Sequence, residues 1–181
     1  MPLGYVSVFG PGGEVNDAAG PTFSNFTAST DISPNPPLVI PANSINGGSG
    51  IRVYAAGKFT NTGTPTLSLG LAWGGAAGTV LAKTTNITTI TAAVNWPWRM
   101  FAYISCFSEG TNGSFATTGM VWMPASLTQF QAAYPIDQAA FAAVNVDTTT
   151  SKALTCVSAW SAASAGNTIT VNHWAVESMN W

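Results

Sequence analysis

Period-two alternation over the last thirty residues, Lys152 to Trp181, constrains this chain more than any other feature. Ala153-Leu-Thr-Cys-Val-Ser-Ala-Trp160-Ser161 is rich in β-branched, aromatic and small residues. Ala165-Gly166-Asn167 interrupts the run, and Thr168-Ile-Thr-Val171 resumes it, with Ile169 and Val171 on one face and Thr168, Thr170 and Asn172 on the other. The apolar pattern continues through Trp174, Val176 and Met179. Such a run predicts two long strands joined by a tight turn, a closing hairpin. A hairpin of that length needs a sheet beneath it, so the rest of the chain must supply the other strands of an all-β domain.

Composition narrows the function classes. The chain has 181 residues, of which 46% are hydrophobic and 7% charged, with a formal net charge of −2. An ordinary soluble domain carries roughly a quarter charged residues. A surface of Thr, Ser and Asn offers little charge repulsion against neighbours, which suits a protein buried in an assembly or placed outside the cell. Arg52, Lys58, Lys83, Arg99 and Lys152 are scattered and form no stripe that would follow a phosphate backbone, so no direct nucleic-acid binding is expected. No stretch is long and apolar enough to predict a membrane span, and the N-terminus lacks signal-peptide character, so release by lysis is the expected route out of a cell. Cys106 and Cys156 each fall inside a predicted strand and read as buried free thiols.

Taken in order, residues 1–37 differ from the rest. Met1 to Phe9 supplies at most one short strand, Gly10-Pro-Gly-Gly13 ends it, and Ser33-Pro-Asn-Pro-Pro37 excludes a central strand. Phe9, Phe23 and Phe26 need burial that so irregular a chain cannot give them alone. Either these rings lie across the domain's own sheet, or residues 1–37 form an extended docking arm, the favoured reading, with Tyr5, Val6, Val8, Phe9, Phe23 and Phe26 as its contact residues and Tyr5-Val-Ser-Val8 as the piece that adds strand-like pairing. From residue 38 onward, strands are expected at 38–40, 51–60, 66–73, 79–83, 99–107, 115–123 and 139–146, with a short helical turn in 124–135. Gly119 is expected to mark a bulge. On 99–107, Met100, Ala102, Ile104 and Cys106 oppose Phe101, Tyr103 and Phe107, so one of two apolar faces is left to meet a partner. The total predicts a two-sheet antiparallel β-sandwich over residues 38–181.

Groups for catalysis are sparse. Glu14, Asp17, Asp31, Glu109, Asp137, Asp147 and Glu177 form no close pair in sequence, and most sit in arms or turns. His173 is the sole histidine, which excludes a multi-histidine zinc site within one subunit, and no serine beside it belongs to a triad signature. Calcium at Glu14/Asp17 or Asp147 competes with a plain solvated-loop reading. The glycine runs at 10–13 and 74–78 precede no helix and are not phosphate loops. No cofactor, no metal and no enzymatic activity are expected. Trp73, Trp122 and Trp160 lie mid-strand and read as core. Trp96 and Trp98, flanking Pro97 at a strand entrance, read as exposed aromatics that stack on sugars or anchor an interface, with Asn95 and Arg99 nearby.

Three stretches carry a resemblance. They are Leu38-Val-Ile-Pro-Ala-Asn-Ser-Ile45 leading to Ile51-Arg-Val-Tyr-Ala-Ala-Gly-Lys-Phe59, then Thr66 to Trp73 with its glycine-rich turn, and finally Leu154 to Trp160 with Gly166 to Val171 and Val176-Glu177. In this order they resemble the small jelly-roll virion structural proteins of tailed bacteriophages, of the head-decoration or minor-capsid type. The resemblance covers residues 38–181 and implies jelly-roll topology, a homotrimer, and a seat on the outer surface of the major capsid protein lattice, where the protein stabilises the head. A tail or fibre component is the nearest alternative, a carbohydrate-binding β-sandwich module or a secreted trimeric ligand a more distant one.

Overall fold

Long alternating stretches become the long strands, and clusters of Gly, Asn and Ser become the turns between them. The computed structural model describes residues 14–15 (backbone alone), 20–34, 37–124, 132–136 and 143–179. Among them lie fourteen strands: β1 (Glu14–Val15), β2 (Thr22–Ser24), β3 (Thr30–Asp31), β4 (Val39–Ile40), β5 (Gly50–Thr60), β6 (Thr66–Trp73), β7 (Thr79–Lys83), β8 (Ile87–Thr88), β9 (Trp96–Ser108), β10 (Gly113–Met123), β11 (Ala132–Pro135), β12 (Ala143–Val146), β13 (Lys152–Trp160) and β14 (Thr168–Met179).

They form two antiparallel sheets. The larger runs β1-β14-β5-β9-β10-β11, with β2 also on β14 and β12 also on β10; the smaller runs β3-β13-β6-β7, with β4 on β13 and β8 on β6. An all-β, two-sheet antiparallel domain is therefore what the alternation builds. Leu67, Leu69, Leu71, Leu154 and Cys156 of the smaller sheet share one core with Val53, Ala55, Met100, Ala102, Ile104, Ile169 and Val171 of the larger. Aromatic pairs span the two layers, Trp73 edge-on to Phe115 at 5.1 Å and Phe59 against Trp160 at 6.5 Å. Cys106 and Cys156 are buried free thiols, as their strand positions predict.

The strands expected at 66–73 and 79–83 pair as the β6–β7 hairpin and those at 99–107 and 115–123 as the β9–β10 hairpin, but the expected closing hairpin does not form. β13 pairs with β6, and β14 pairs with β5, so the terminal strands lie in different sheets. Residues 161–167 arch between the layers, tied by Thr62 N–H donating to the Asn167 side-chain oxygen at 3.0 Å. Alternation sets which face each strand buries; it does not name the neighbour.

Bulges also differ from expectation. The ladder of β14 with β5 skips Asn172, so Val171 and then Trp174, of opposite parity, both point into the core. That single extra residue reconciles the two halves of the terminal pattern. Gly119 is not a bulge. Its register with Ala102 is regular, and a Cβ there would lie 2.3 Å from the Phe101 carbonyl oxygen, so close strand approach demands the glycine. The irregularity in the β9–β10 ladder lies opposite Ser114/Phe115 instead, where Phe107 of β9 is the extra, unpaired residue. Residues 132–135 of the expected helical turn form β11 rather than a helix.

Residues 20–34 correct the reading of an arm ending at 37. β2 pairs with β14 and β3 with β13, so this stretch contributes to both sheets. Ile32 is fully buried, and the Ser33 hydroxyl accepts the Cys156 N–H at 2.7 Å. Phe23 and Phe26 pack on the domain's own core. Short paired strands, and not one regular element, are how a Gly/Pro-rich segment buries its aromatics. Tyr5, Val6, Val8 and Phe9 lie outside the described residues.

Candidate functional site: the outer face of the larger sheet

β9 alternates almost without interruption between buried and accessible positions. Its even residues from Trp98 to Cys106 enter the core, so its odd residues stand on the outer face of the larger sheet. The register aligns these with outward residues on the neighbours. One row reads Ala175, Tyr54, Phe101, Met120 across β14, β5, β9 and β10; the next reads His173, Ala56, Arg99, Trp122. Tyr54 and Phe101 are 37% and 39% exposed, and Phe107 further along β9 is 55% exposed, which is unusual for side chains of their size. Tyr54, Arg99, Phe101 and Trp122 line an open groove of about 400 Å³.

Polar groups surround this aromatic floor. The His173 ring meets the Tyr54 ring edge-on at 5.2 Å, which places the sole histidine on this face as a packing residue of β14. Arg52 pairs with Glu177 at 3.1 Å across β5 and β14. Arg99 and Lys58 are exposed and have no ion pair or hydrogen bond among the described residues. Three of the chain's five cations thus share this face with one described acid, Glu177, although the whole chain is acidic. No family model matches the chain, and no curated protein or solved structure does either.

The tryptophans exchange the places expected of them. Trp98 is 2% exposed and lies in the core, not on the surface, and Trp96 is half-buried and packs against that core. Both share parity with Met100 and Ile104 once β9 is extended back to its start at Trp96. Trp122, expected in the core, turns outward between the buried Val121 and Met123 and walls the groove. Extending the alternation of 99–107 by three residues, and applying the same parity to 115–123, would have found both.

Elsewhere the described residues offer little that converges. No group of three or more His, Cys, Asp and Glu is placed to hold a metal ion among them. Asp147 caps its own turn, accepting Thr149 N–H at 2.8 Å and the Thr149 hydroxyl at 2.6 Å, which together with Thr150 and the charge of Lys152 holds its carboxyl below the usual carboxylate range. That is loop chemistry, an Asx turn closing a connection. Burial pushes the thiol of Cys156 far up, so it stays protonated and unreactive.

Proposed function

We propose that this chain is a non-enzymatic structural protein of a virion, a head-surface decoration subunit whose larger sheet presents an outward recognition face. The observation that carries the reading is that open aromatic face on a chain with 7% charged residues. Exposed aromatics on a central strand cost solubility unless something binds them or the subunit sits in an assembly. The virion address rests on the resemblance of residues 38–73 and 154–177.

Strand order supports the jelly-roll reading. Followed along the chain, β2, β3, β5, β6, β7, β9, β13 and β14 visit the sheets as larger, smaller, larger, smaller, smaller, larger, smaller, larger. The first strand ends beside the last, and the second beside the last but one. This order supports the reading of a long antiparallel ribbon rolled once, with β10–β12 added beyond β9.

In this proposal the subunit assembles as a homotrimer on the major capsid lattice. It works by adding buried area that links neighbouring capsomers, shifting assembly toward the closed shell by mass action. Gold-labelled antibody against the chain, applied to purified particles, tests the address: label spread over heads is expected. Label confined to tails, or absent from particles, overturns it. Light scattering on the purified chain is expected to give the mass of a trimer, and a stable monomer at micromolar concentration overturns that part.

A further inference from the structure

We propose that the groove lined by Tyr54, Arg99, Phe101 and Trp122 binds a carboxylated sugar. The inference rests on the reading of this face as a recognition surface and names the chemistry it would take. Three ring systems from three adjacent strands, β5, β9 and β10, wall one open groove. At about 400 Å³ it falls within the range of small-ligand clefts, about 300–1,000 Å³. Sugar rings offer an apolar C–H face that stacks on aromatic side chains and a rim of oxygens that needs polar partners. Arg99 is the polar partner here. Its guanidinium has no described counter-ion, and its planar fork matches a carboxylate bidentately. Lys58 stands on the same face, one outward position beyond Ala56, where it can meet the carboxylate of a second ring.

Charge decides among the occupants. Three cations against one acid on this face favour an anionic ligand. A second copy docked face to face by two-fold symmetry would set this cationic patch against itself. Single-stranded nucleic acid also stacks on aromatics, but it needs a row of cations tracking successive phosphates, and the two unpaired ones here do not make a row. A neutral sugar would leave the Arg99 fork without its match.

The test is isothermal titration calorimetry on the full chain with hexagalacturonate and with a tetramer of sialic acid, which separate plant-type from animal-type acidic glycans. The fully methyl-esterified hexagalacturonate and an oligothymidylate serve as controls. At least one acid is expected to bind, about tenfold or more tighter than the ester, and to weaken as salt rises. Arg99→Gln is expected to lose about tenfold and erase the preference over the ester, with Arg99→Lys in between. Trp122→Ala and, independently, Phe101→Ser are expected to abolish measurable binding while the chain still gives a cooperative circular-dichroism melt well above the titration temperature. Binding of neither acid overturns the proposal, as do equal affinity for the ester, unaffected binding by Arg99→Gln, or tighter binding of oligothymidylate. A change of light-scattering mass in Arg99→Gln or Phe101→Ser would make the face a contact between copies and overturn it too. Gold labelling of particles involves none of these variants, so the virion address and the sugar site fail separately.

Discussion

β6 and β9 are both long, largely apolar strands in the interior of their sheets, yet they meet solvent in opposite ways. From Leu67 to Trp73 every residue of β6 is buried, so the smaller sheet is covered on both faces there. β9 buries only one side. The outward residues differ accordingly: Ser68, Gly70 and Ala72 on β6, against Arg99, Phe101 and Tyr103 on β9. Small residues stand where the face is covered and close approach is needed; large aromatics stand where it is open. Packing explains the first choice and not the second, because an aromatic that remains more than a third exposed recovers only part of its transfer free energy. The excess on β9 is the feature on which the proposed recognition role of the outer face rests.

The sharpest way to break this comparison is to write the same residue on both outer faces. Ala72→Asp places a charge at a fully buried position, with an expected cost of about 3 kcal/mol or more. Phe101→Asp is expected to cost about 1 kcal/mol or less, because solvent already reaches the site. Urea denaturation of the two variants measures both. Similar losses would mean that the outer face of β9 is as structurally committed as that of β6.

A second prediction tests what holds the smaller sheet. Ile32 follows β3, is fully buried, and donates its N–H to the Cys156 carbonyl of β13 at 2.9 Å. Ile32→Ala is expected to destabilise the domain by about 2–5 kcal/mol, read as a lower urea midpoint at unchanged slope. A variant as stable as the native chain would return residues 20–34 to the status of an appended arm.

How much of this was legible beforehand differs by level. The strand spans of β5, β6, β9 and β10, and the two-layer architecture, follow from alternation and turn residues, which are local signals. The partners of β13 and β14 do not, because pairing is a global choice among edges that all satisfy the same pattern. Residues 20–34 give no such local signal, because their prolines and glycines forbid long strands while β2 and β3 pair over only three and two residues. The groove is intermediate. Tyr54, Phe101 and Trp122 are far apart in sequence and meet only through the β5–β9–β10 register, yet parity alone assigns each of them outward. Trp98 departs from expectation for a local reason: β9 starts at Trp96, three residues before the expected 99.

The smallest expected effect lies at the joint between the two sheets. Residues 147–151 carry the chain from β12 of the larger sheet to β13 of the smaller, and the Asp147 carbonyl accepts the indole N–H of Trp73 on β6 at 3.1 Å. The Asp147 carboxylate orders that connection by accepting from Thr149 and Thr150. Hydrogen bonds to the ionised form lower its folded-state pKa, so its contribution is present above the ordinary carboxylate range and is lost as pH falls through the lowered value. Thermal melts followed by near-ultraviolet circular dichroism from about pH 6 to about pH 2 cover that window. The native chain is expected to lose stability toward the acid end. Asp147→Asn, which keeps an acceptor oxygen but no charge, is expected to start slightly lower and to show a shallower acid limb. Parallel acid limbs in the two proteins would show that the capped turn adds nothing to the coupling between a sheet covered on both faces and a sheet left open on one.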